Sequence, residues 1–317
     1  MPKPELTSAA EIAAGNERVL FVEGHDELSF DPHALSALLG ASDVHVIPVG
    51  GCENVMAAVH ALSWEGAPQQ VIEGAEFYSV IDRDHLPNAE VEPLWTDGPL
   101  ARGPHLVWRR HEFENYFLEP EFITQSEYFR GGKAGVAGLQ QSLVKAASAR
   151  VFLDAANLVI KELRSAWQRW DPRLAEFQPS EAPFDDAASA EAALLGGRPY
   201  ATVLEDAAAT LSPEWLRGRL HDNLAMLFGT TKFGRLRAGK GEWHQRMEGS
   251  GLLGAVLSPR FFRIPASDGK PLQGKPLMRH IAAELLRRFD ELPVKPQDFV
   301  ELRDYFRRTQ RLQFPSP

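Results

Sequence analysis

The stretch RVLFVEGHDE at residues 18–27 decides the fold class, because a mostly apolar run ends directly in an acid and a glycine. Similar apolar runs recur at 44–49, 77–81 and 105–108. Apolar residues at helical spacing occupy the intervals 26–39 and 53–64, and Pro32 predicts either a break in the first helix or a late start. Strands that alternate with helices are typical of a parallel sheet covered by helices. Residues 1–125 are therefore predicted to form an α/β domain around a mostly parallel four-stranded sheet.

The rest of the chain follows a different pattern and is predicted to form a mainly helical domain over residues 126–317. Helical patterns occupy five segments, at 139–170, 201–210, 213–228, 277–290 and 297–310. Residues 176–199 are rich in Pro, Ala and Gly, and we interpret them as a linker-like segment with a short helix. The chain is thus expected to divide once, near residue 125.

Charge is distributed unevenly between these two parts. The formal net charge of the chain is −9. Residues 1–127 contain 6 Lys and Arg against 22 Asp and Glu, whereas residues 128–317 contain 28 against 21. The first part therefore has a net charge of −16 and the second a net charge of +7. This asymmetry indicates different tasks for the two parts, and it leaves nucleic acid open as a partner despite the negative total.

Composition also excludes several classes of protein. Cys52 is the single cysteine, which excludes an intrachain disulfide and a zinc site built on cysteine pairs. No run of about 18 apolar residues is present, so no membrane span is expected. Residues 1–16 lack the apolar core of a signal peptide. We therefore expect a cytoplasmic protein without a membrane partner.

Acidic residues follow three of the four predicted strands. They are Glu23 after the first, Asp82 and Asp84 after the third, and Glu112 and Glu114 after the fourth. Ligands of an open parallel sheet bind beyond the carboxyl ends of its strands, so these carboxylates are expected to converge. Converging carboxylates repel one another and need either raised pKa values or a cation. Hard oxygen ligands of this kind select Mg²⁺ or Mn²⁺.

Four segments together resemble the Toprim pattern of the OLD-like (overcoming lysogenisation defect) nuclease group. They are VEGHDE (22–27), PVGGCENV (48–55), SVIDRDH (79–85) and HEFENYFLEPEFI (111–123). This group includes the stand-alone Toprim nuclease effector of the PARIS phage-defence system. The resemblance covers roughly residues 16–125. It implies a Toprim-type sheet and hydrolysis of phosphodiester bonds with Mg²⁺ or Mn²⁺ as cofactor.

The resemblance also implies roles for individual residues. It assigns metal binding to four acids, Glu23, Asp82, Asp84 and Glu114. Glu23 is alternatively a general acid or base, and Glu114 is alternatively a cap of the helix that follows. Lys275 is the candidate for the late lysine that stabilises the charged transition state, with Lys240 and Lys270 as rivals.

Basic residues are the candidates for contacts to the nucleic-acid substrate. Arg83 and Arg109 adjoin the acidic motifs, and a glycine-rich segment contains Lys232, Arg235, Arg237 and Lys240. A cation-rich segment with interleaved aromatic residues suits a phosphate backbone and its bases. A solvated surface remains an equal alternative for these side chains.

The leading hypothesis is a metal-dependent nuclease that cuts DNA or RNA. The resemblance further implies a phage-defence effector controlled by a separate ATPase partner, because no ATPase sequence precedes the Toprim-like region. A homodimer stays open. One alternative is a non-catalytic or latent regulatory or scaffold module. Another is a glycosyl or nucleotidyl transferase that uses the Asp-x-Asp pair to hold a metal.

Overall fold

Four strands form one sheet in which every neighbouring pair is parallel. The strands are β1 (Arg18–Val22), β2 (His45–Pro48), β3 (Glu76–Ile81) and β4 (His105–Val107), in the order β2-β1-β3-β4. β1 pairs with both β2 and β3 and is buried along its whole length. A central parallel strand is covered on both faces, which explains the near-continuous apolar run of β1. The predicted α/β sheet is confirmed, and it is parallel throughout.

The computed structural model describes residues 18–40, 42–63, 75–167, 176–177, 184–196, 212–265 and 269–313. The chain divides into two compact units. The sheet unit joins Met1–Arg130 with Leu257–Pro317, and the helical unit is Gly131–Val256. This division differs from the single one expected near residue 125, because the last segment of the chain packs with the sheet.

Two helices connect the first three strands. α1 (Phe30–Leu39) begins later than the apolar pattern at 26–39 suggests, in agreement with the position of Pro32. The preceding loop is closed by Ser29, whose Oγ accepts hydrogen bonds from the backbone N–H groups of His25 and Asp26. α2 (Cys52–Ser63) follows β2. The loop from Glu23 to Ser29 therefore connects the carboxyl end of β1 to the start of α1.

Short helices flank β4. α3 (Asn88–Val91) and a 3₁₀ turn (Glu92–Trp95) precede the strand. A longer 3₁₀ segment (Phe113–Leu118) and α4 (Pro120–Ile123) follow it. Aromatic side chains from both sides of β4 pack together in the core of the sheet unit: Trp95, Trp108, Phe113, Tyr116 and Phe117.

The helical unit contains six helices among its described residues. They are α5 (Gly132–Ser148), α6 (Val151–Trp167), α7 (Ala187–Gly196), α8 (Pro213–Phe228), α9 (Trp243–Arg246) and α10 (Gly249–Val256). α6 packs against α7 and α8, and α5 packs against α10. The short helix expected within 176–199 is present as α7. The helix expected over 201–210 falls outside the described residues.

The last segment of the chain completes the sheet unit with α11 (Gly274–Arg287), a 3₁₀ turn (Phe289–Glu291) and α12 (Gln297–Gln313). Both α11 and α12 pack against α1. Arg18 of β1 is 2% exposed and donates to the Phe306 carbonyl oxygen of α12 at 3.1 Å. No helix in the described ranges is both long enough and apolar enough to span a bilayer.

Candidate metal centre

Glycines at the ends of β1 and β2 shape the edge of the sheet where Glu23 lies. Gly24 and Gly50 exchange backbone hydrogen bonds of 2.8 and 2.7 Å, which joins the two strand ends. Gly24 has a φ of 137°, and a Cβ there would lie 2.9 Å from the Cβ of Ser29. This close approach requires glycine, and it turns the chain directly after Glu23. The Glu-Gly motif after β1 and the Gly-Gly motif after β2 are therefore hydrogen-bonded to each other.

Hydrogen bonds join the loops that follow β1, β3 and β4. The backbone N–H of Asp82 donates to Oε1 of Glu23 at 3.1 Å. The backbone N–H of Phe113 donates to Oδ1 of Asp82 at 3.0 Å. Glu23 and Asp82 are thus brought together as the sequence predicted, and each carboxylate accepts a hydrogen bond from the next loop along the sheet.

The backbone of Asp84 is fixed by contacts with His111. Its φ is 50°, a left-handed conformation that is uncommon for residues other than glycine. Its N–H donates to the His111 carbonyl oxygen at 3.1 Å, and Nδ1 of His111 lies 2.7 Å from the Asp84 carbonyl oxygen. The buried His111 therefore supports the Asp82–Asp84 loop through the backbone.

Five acidic side chains interact electrostatically at this edge. Burial raises the pKa of Asp82, and four other carboxylates raise it further: Asp31, Glu114, Glu23 and Glu112. Asp31 was not predicted as a site residue. It lies in the first turn of α1, and burial followed by the charges of neighbouring carboxylates raises its pKa as well. The sequence feature that could have identified Asp31 as a site residue is its position after the Glu-Gly turn, at the start of the first connecting helix.

Glu114 and Lys275 approach each other from distant parts of the sequence. The pKa of Glu114 is raised to about 7, mainly by burial. The charge of Glu23 raises this pKa further, whereas the Glu114 backbone N–H and the charge of Lys275 lower it. Lys275 is exposed at the beginning of α11, whose packing on α1 places it near the acids. Lys275, one of the three candidate lysines, carries a charge that lowers the pKa of Glu114, a predicted metal ligand. The neighbouring Glu112 caps the 3₁₀ segment Phe113–Leu118 by a capping box with Asn115.

Replacement of Glu114 by Gln should make the metal-free protein less sensitive to pH. A carboxyl whose pKa is raised from 4.5 to about 7 holds its proton in the folded state while the unfolded chain has lost it. Stability therefore falls as pH rises between these values. Urea unfolding with EDTA at about pH 5 and about pH 8 should show the variant gaining about 2 to 3 kcal/mol relative to the parent between the two conditions. The same change at the exposed Glu121 serves as control and should give no such gain.

The acids fit a hard cation in their chemistry. They are carboxylates, several of which raise the pKa of Asp82, and Oδ2 of Asp82 is not used by the hydrogen bond from Phe113. Within the described residues, however, no three His, Cys, Asp or Glu side chains are grouped so that they could hold a metal ion as they stand. The candidate metal centre is therefore a set of adjacent carboxylates, with Glu23 and Asp82 oriented by backbone N–H groups.

Arg83 and Arg109 are not available to a substrate in the way that the sequence suggested. Arg83 is 3% exposed and donates to the carbonyl oxygens of Leu86 and Arg109 at 2.7 and 2.6 Å, so it supports the loop after β3 from inside. Arg109 stacks on Trp95 and forms ion pairs with three acids: Asp298, Glu301 and Glu92. The prediction of both as phosphate ligands is corrected: Arg83 supports the loop after β3, and Arg109 is engaged by carboxylates of α12 and by Glu92.

The other predicted phosphate ligands lie in the helical unit. Lys232, Arg235, Arg237 and Lys240 are all exposed on the loop between α8 and α9. Two arginines of α12, Arg303 and Arg307, both pair with Asp290. No protein-family model and no curated protein matches this chain, so the argument for its function rests on the acids at the carboxyl edge of the sheet.

Proposed function

We propose that this protein is a metal-dependent nuclease of the Toprim type, related to the OLD-like group, that hydrolyses phosphodiester bonds of DNA or RNA. The observation that carries the proposal is the chain of hydrogen bonds at the carboxyl edge of one parallel sheet, from the Asp82 N–H to Glu23 and from the Phe113 N–H to Asp82, with Glu114 directly after Phe113. These residues come from three separate motifs of the resemblance. Their order along the chain and their position in the fold both agree with it.

Mg²⁺ or Mn²⁺ would be held by Glu23, Asp82, Asp84 and Glu114. Such an ion, when bound, neutralises charge at a phosphate and lowers the pKa of a bound water. Asp31 adds a fifth carboxyl group that interacts with Asp82, and a bound cation would favour its ionised form. Lys275 supplies a positive charge beside Glu114, where it can approach an anionic substrate.

The two alternative functions make different demands on this site. A glycosyl or nucleotidyl transferase would need Asp82 and Asp84 but assigns no role to Glu23 or Glu114. A regulatory or scaffold module retains the whole cluster without cleavage. Control by a separate ATPase and a role in phage defence rest on the resemblance, and copurification of an ATPase would support them.

The nuclease proposal is tested by incubating the full chain with DNA and RNA pools in Mg²⁺, Mn²⁺ or EDTA. Cleavage should require the metal. Glu23→Gln keeps the size of the side chain and its acceptor for the Asp82 N–H, but removes the charge that binds the ion. It should lower the rate on the order of 100-fold or more, as expected for loss of a group essential to the chemistry. Glu90→Gln changes an exposed acid of α3 and should cut at the parental rate. Equal cleavage by Glu23→Gln, or in EDTA, would contradict the proposal.

A further inference from the structure

The basic loop, residues 229–242 (GTTKFGRLRAGKGE), connects α8 to α9 and is strongly cationic. Its four basic residues are Lys232, Arg235, Arg237 and Lys240, and its one acid is Glu242. All four basic side chains are exposed, and none of them forms an ion pair or a side-chain hydrogen bond with the described residues. On the adjoining α8, by contrast, Arg217 pairs with Glu191, and Arg219 pairs with Glu162. The charge of the basic loop is therefore uncompensated within the described part of the helical unit.

The two ends of the basic loop are fastened together. Gly229 ends α8 with a φ of 66°, and the N–H of Glu242 donates to the Met226 carbonyl oxygen at 3.0 Å. The backbones of Gly229 and Gly241 pass so closely that a Cβ on Gly229 would lie 2.9 Å from the Gly241 Cα. A loop with adjoining ends and its own internal packing is an Ω-loop, a form that frequently carries function.

Apolar side chains of the segment turn inward while its cations remain outside. Leu236 is 2% exposed although Arg235 and Arg237 on either side of it are exposed. Trp243, the first residue of α9, is buried, and its Nε1 donates to the Arg237 carbonyl oxygen at 3.2 Å. The cations are thus displayed on a packed base, which lowers the entropy lost when they engage a partner.

The surroundings of the cations favour a phosphate backbone over other polyanions. Gly234 and Gly239 precede Arg235 and Lys240, and a Cβ at either glycine would have no neighbour within 4 Å. Open backbone next to a cation allows phosphate oxygens to approach N–H groups as well as side chains. The buried Leu236 leaves little apolar surface for insertion into a bilayer, which an interfacial anchor would need.

We propose that the basic loop is a docking element that binds the sugar-phosphate backbone of a nucleic acid. The proposal rests on the nuclease function for the identity of its polyanion. Binding through several phosphates has a defined signature, because each neutralised phosphate contributes about 0.9 on duplex DNA, or about 0.7 on a single strand, to the slope of log affinity against log salt.

The test measures binding in the absence of cleavage. The full chain carrying Asp82→Asn is titrated in EDTA against fluorescent single-stranded DNA, duplex DNA and RNA over a salt series. Adding Lys232→Ala, Arg235→Ala, Arg237→Ala and Lys240→Ala should weaken binding by roughly 100-fold or more at about 0.1 M salt and reduce the slope by roughly 3. The Arg235→Ala, Arg237→Ala pair alone should produce about half of the change in slope.

Controls separate this proposal from folding defects and from the nuclease proposal. Arg102→Ala with Arg217→Ala removes two surface arginines that have carboxylate partners, and it should leave affinity and slope unchanged. Thermal unfolding should be the same for the loop variants and their parent, since the altered side chains are exposed. Unchanged affinity in the fourfold variant, or tighter binding to polyglutamate or anionic vesicles than to any nucleic acid, would overturn the assignment. If the parent chain binds nucleic acid through the loop but does not cleave it in Mg²⁺ or Mn²⁺, the nuclease function is rejected and the loop is retained as a nucleic-acid site.

Discussion

Replacement of Asp82 by Asn should abolish metal-dependent cleavage while it stabilises the metal-free protein. Asn retains the Oδ1 acceptor for the Phe113 N–H, so the loop after β3 keeps its hydrogen bond. It removes a carboxyl group whose pKa is raised by burial and by the charges of four neighbouring carboxylates. A folded-state pKa above the unfolded value lowers stability as pH rises, so the gain from Asn should be larger at about pH 8 than at about pH 5.

The opposite signs of these two effects make the result specific. Cleavage should fall on the order of 1,000-fold or more, because the proposed metal loses a ligand. The midpoint of urea unfolding in EDTA should rise, and the rise should be larger at the higher pH. Added Mn²⁺ should stabilise the parent and have a much smaller effect on the variant. Asp97→Asn, a change of an exposed acid, should show neither effect. A variant that loses stability and keeps its cleavage would show that Asp82 is structural.

Phe299→Ala should produce a large loss of stability. Phe299 of α12 is fully buried, and its ring packs against Trp108, Phe113 and Tyr116, with centroids between 4.6 and 5.7 Å apart. Removal of a buried aromatic ring costs about 3 to 5 kcal/mol through lost transfer free energy and the cavity left behind. Because Phe113 donates its N–H to Asp82, cleavage by the remaining folded protein should fall as well.

Denaturant unfolding with a matched change on the same helix tests this expectation. Asp304→Ala alters an exposed position of α12 and should stay within about 0.5 kcal/mol of the parent. Phe299→Leu retains most of the buried apolar surface and should fall between the two. If Phe299→Ala were as mild as Asp304→Ala, α12 would not be an integral part of the sheet unit.

The arrangement of the sheet could be predicted from the sequence with high fidelity. All four strands lie within one residue of their predicted ends, because a strand buried on both faces must be apolar along its length. The start of α1 at Phe30 agrees with Pro32. The domain division could not be predicted in the same way, because the apolar faces of α11 and α12 do not specify which surface they cover.

In the candidate site, too, the positions set by strand order could be predicted, whereas the partners of individual side chains could not. Glu23 and Asp82 are adjacent because both follow strands of one sheet, and the chain order of those strands is readable. Arg83 and Arg109 were predicted as phosphate ligands from charge and position, but their guanidinium groups are occupied by carbonyl oxygens and carboxylates. Asp31 was overlooked, because a single acid in a helical first turn is most simply explained by the helix dipole.

Sequence alone is sufficient for the parallel sheet, for its acidic carboxyl edge and for the separation of an acidic first part from a basic second part. These features depend on local periodicity and on the alternation of strands and helices, which neighbouring residues encode. Tertiary packing decides that Asp31 and Lys275 lie near the acids, that Arg83 and Arg109 are internal supports, and that the cations of the basic loop remain exposed. Such outcomes depend on contacts between side chains that are far apart in the sequence, because those contacts determine which groups are buried and which form ion pairs.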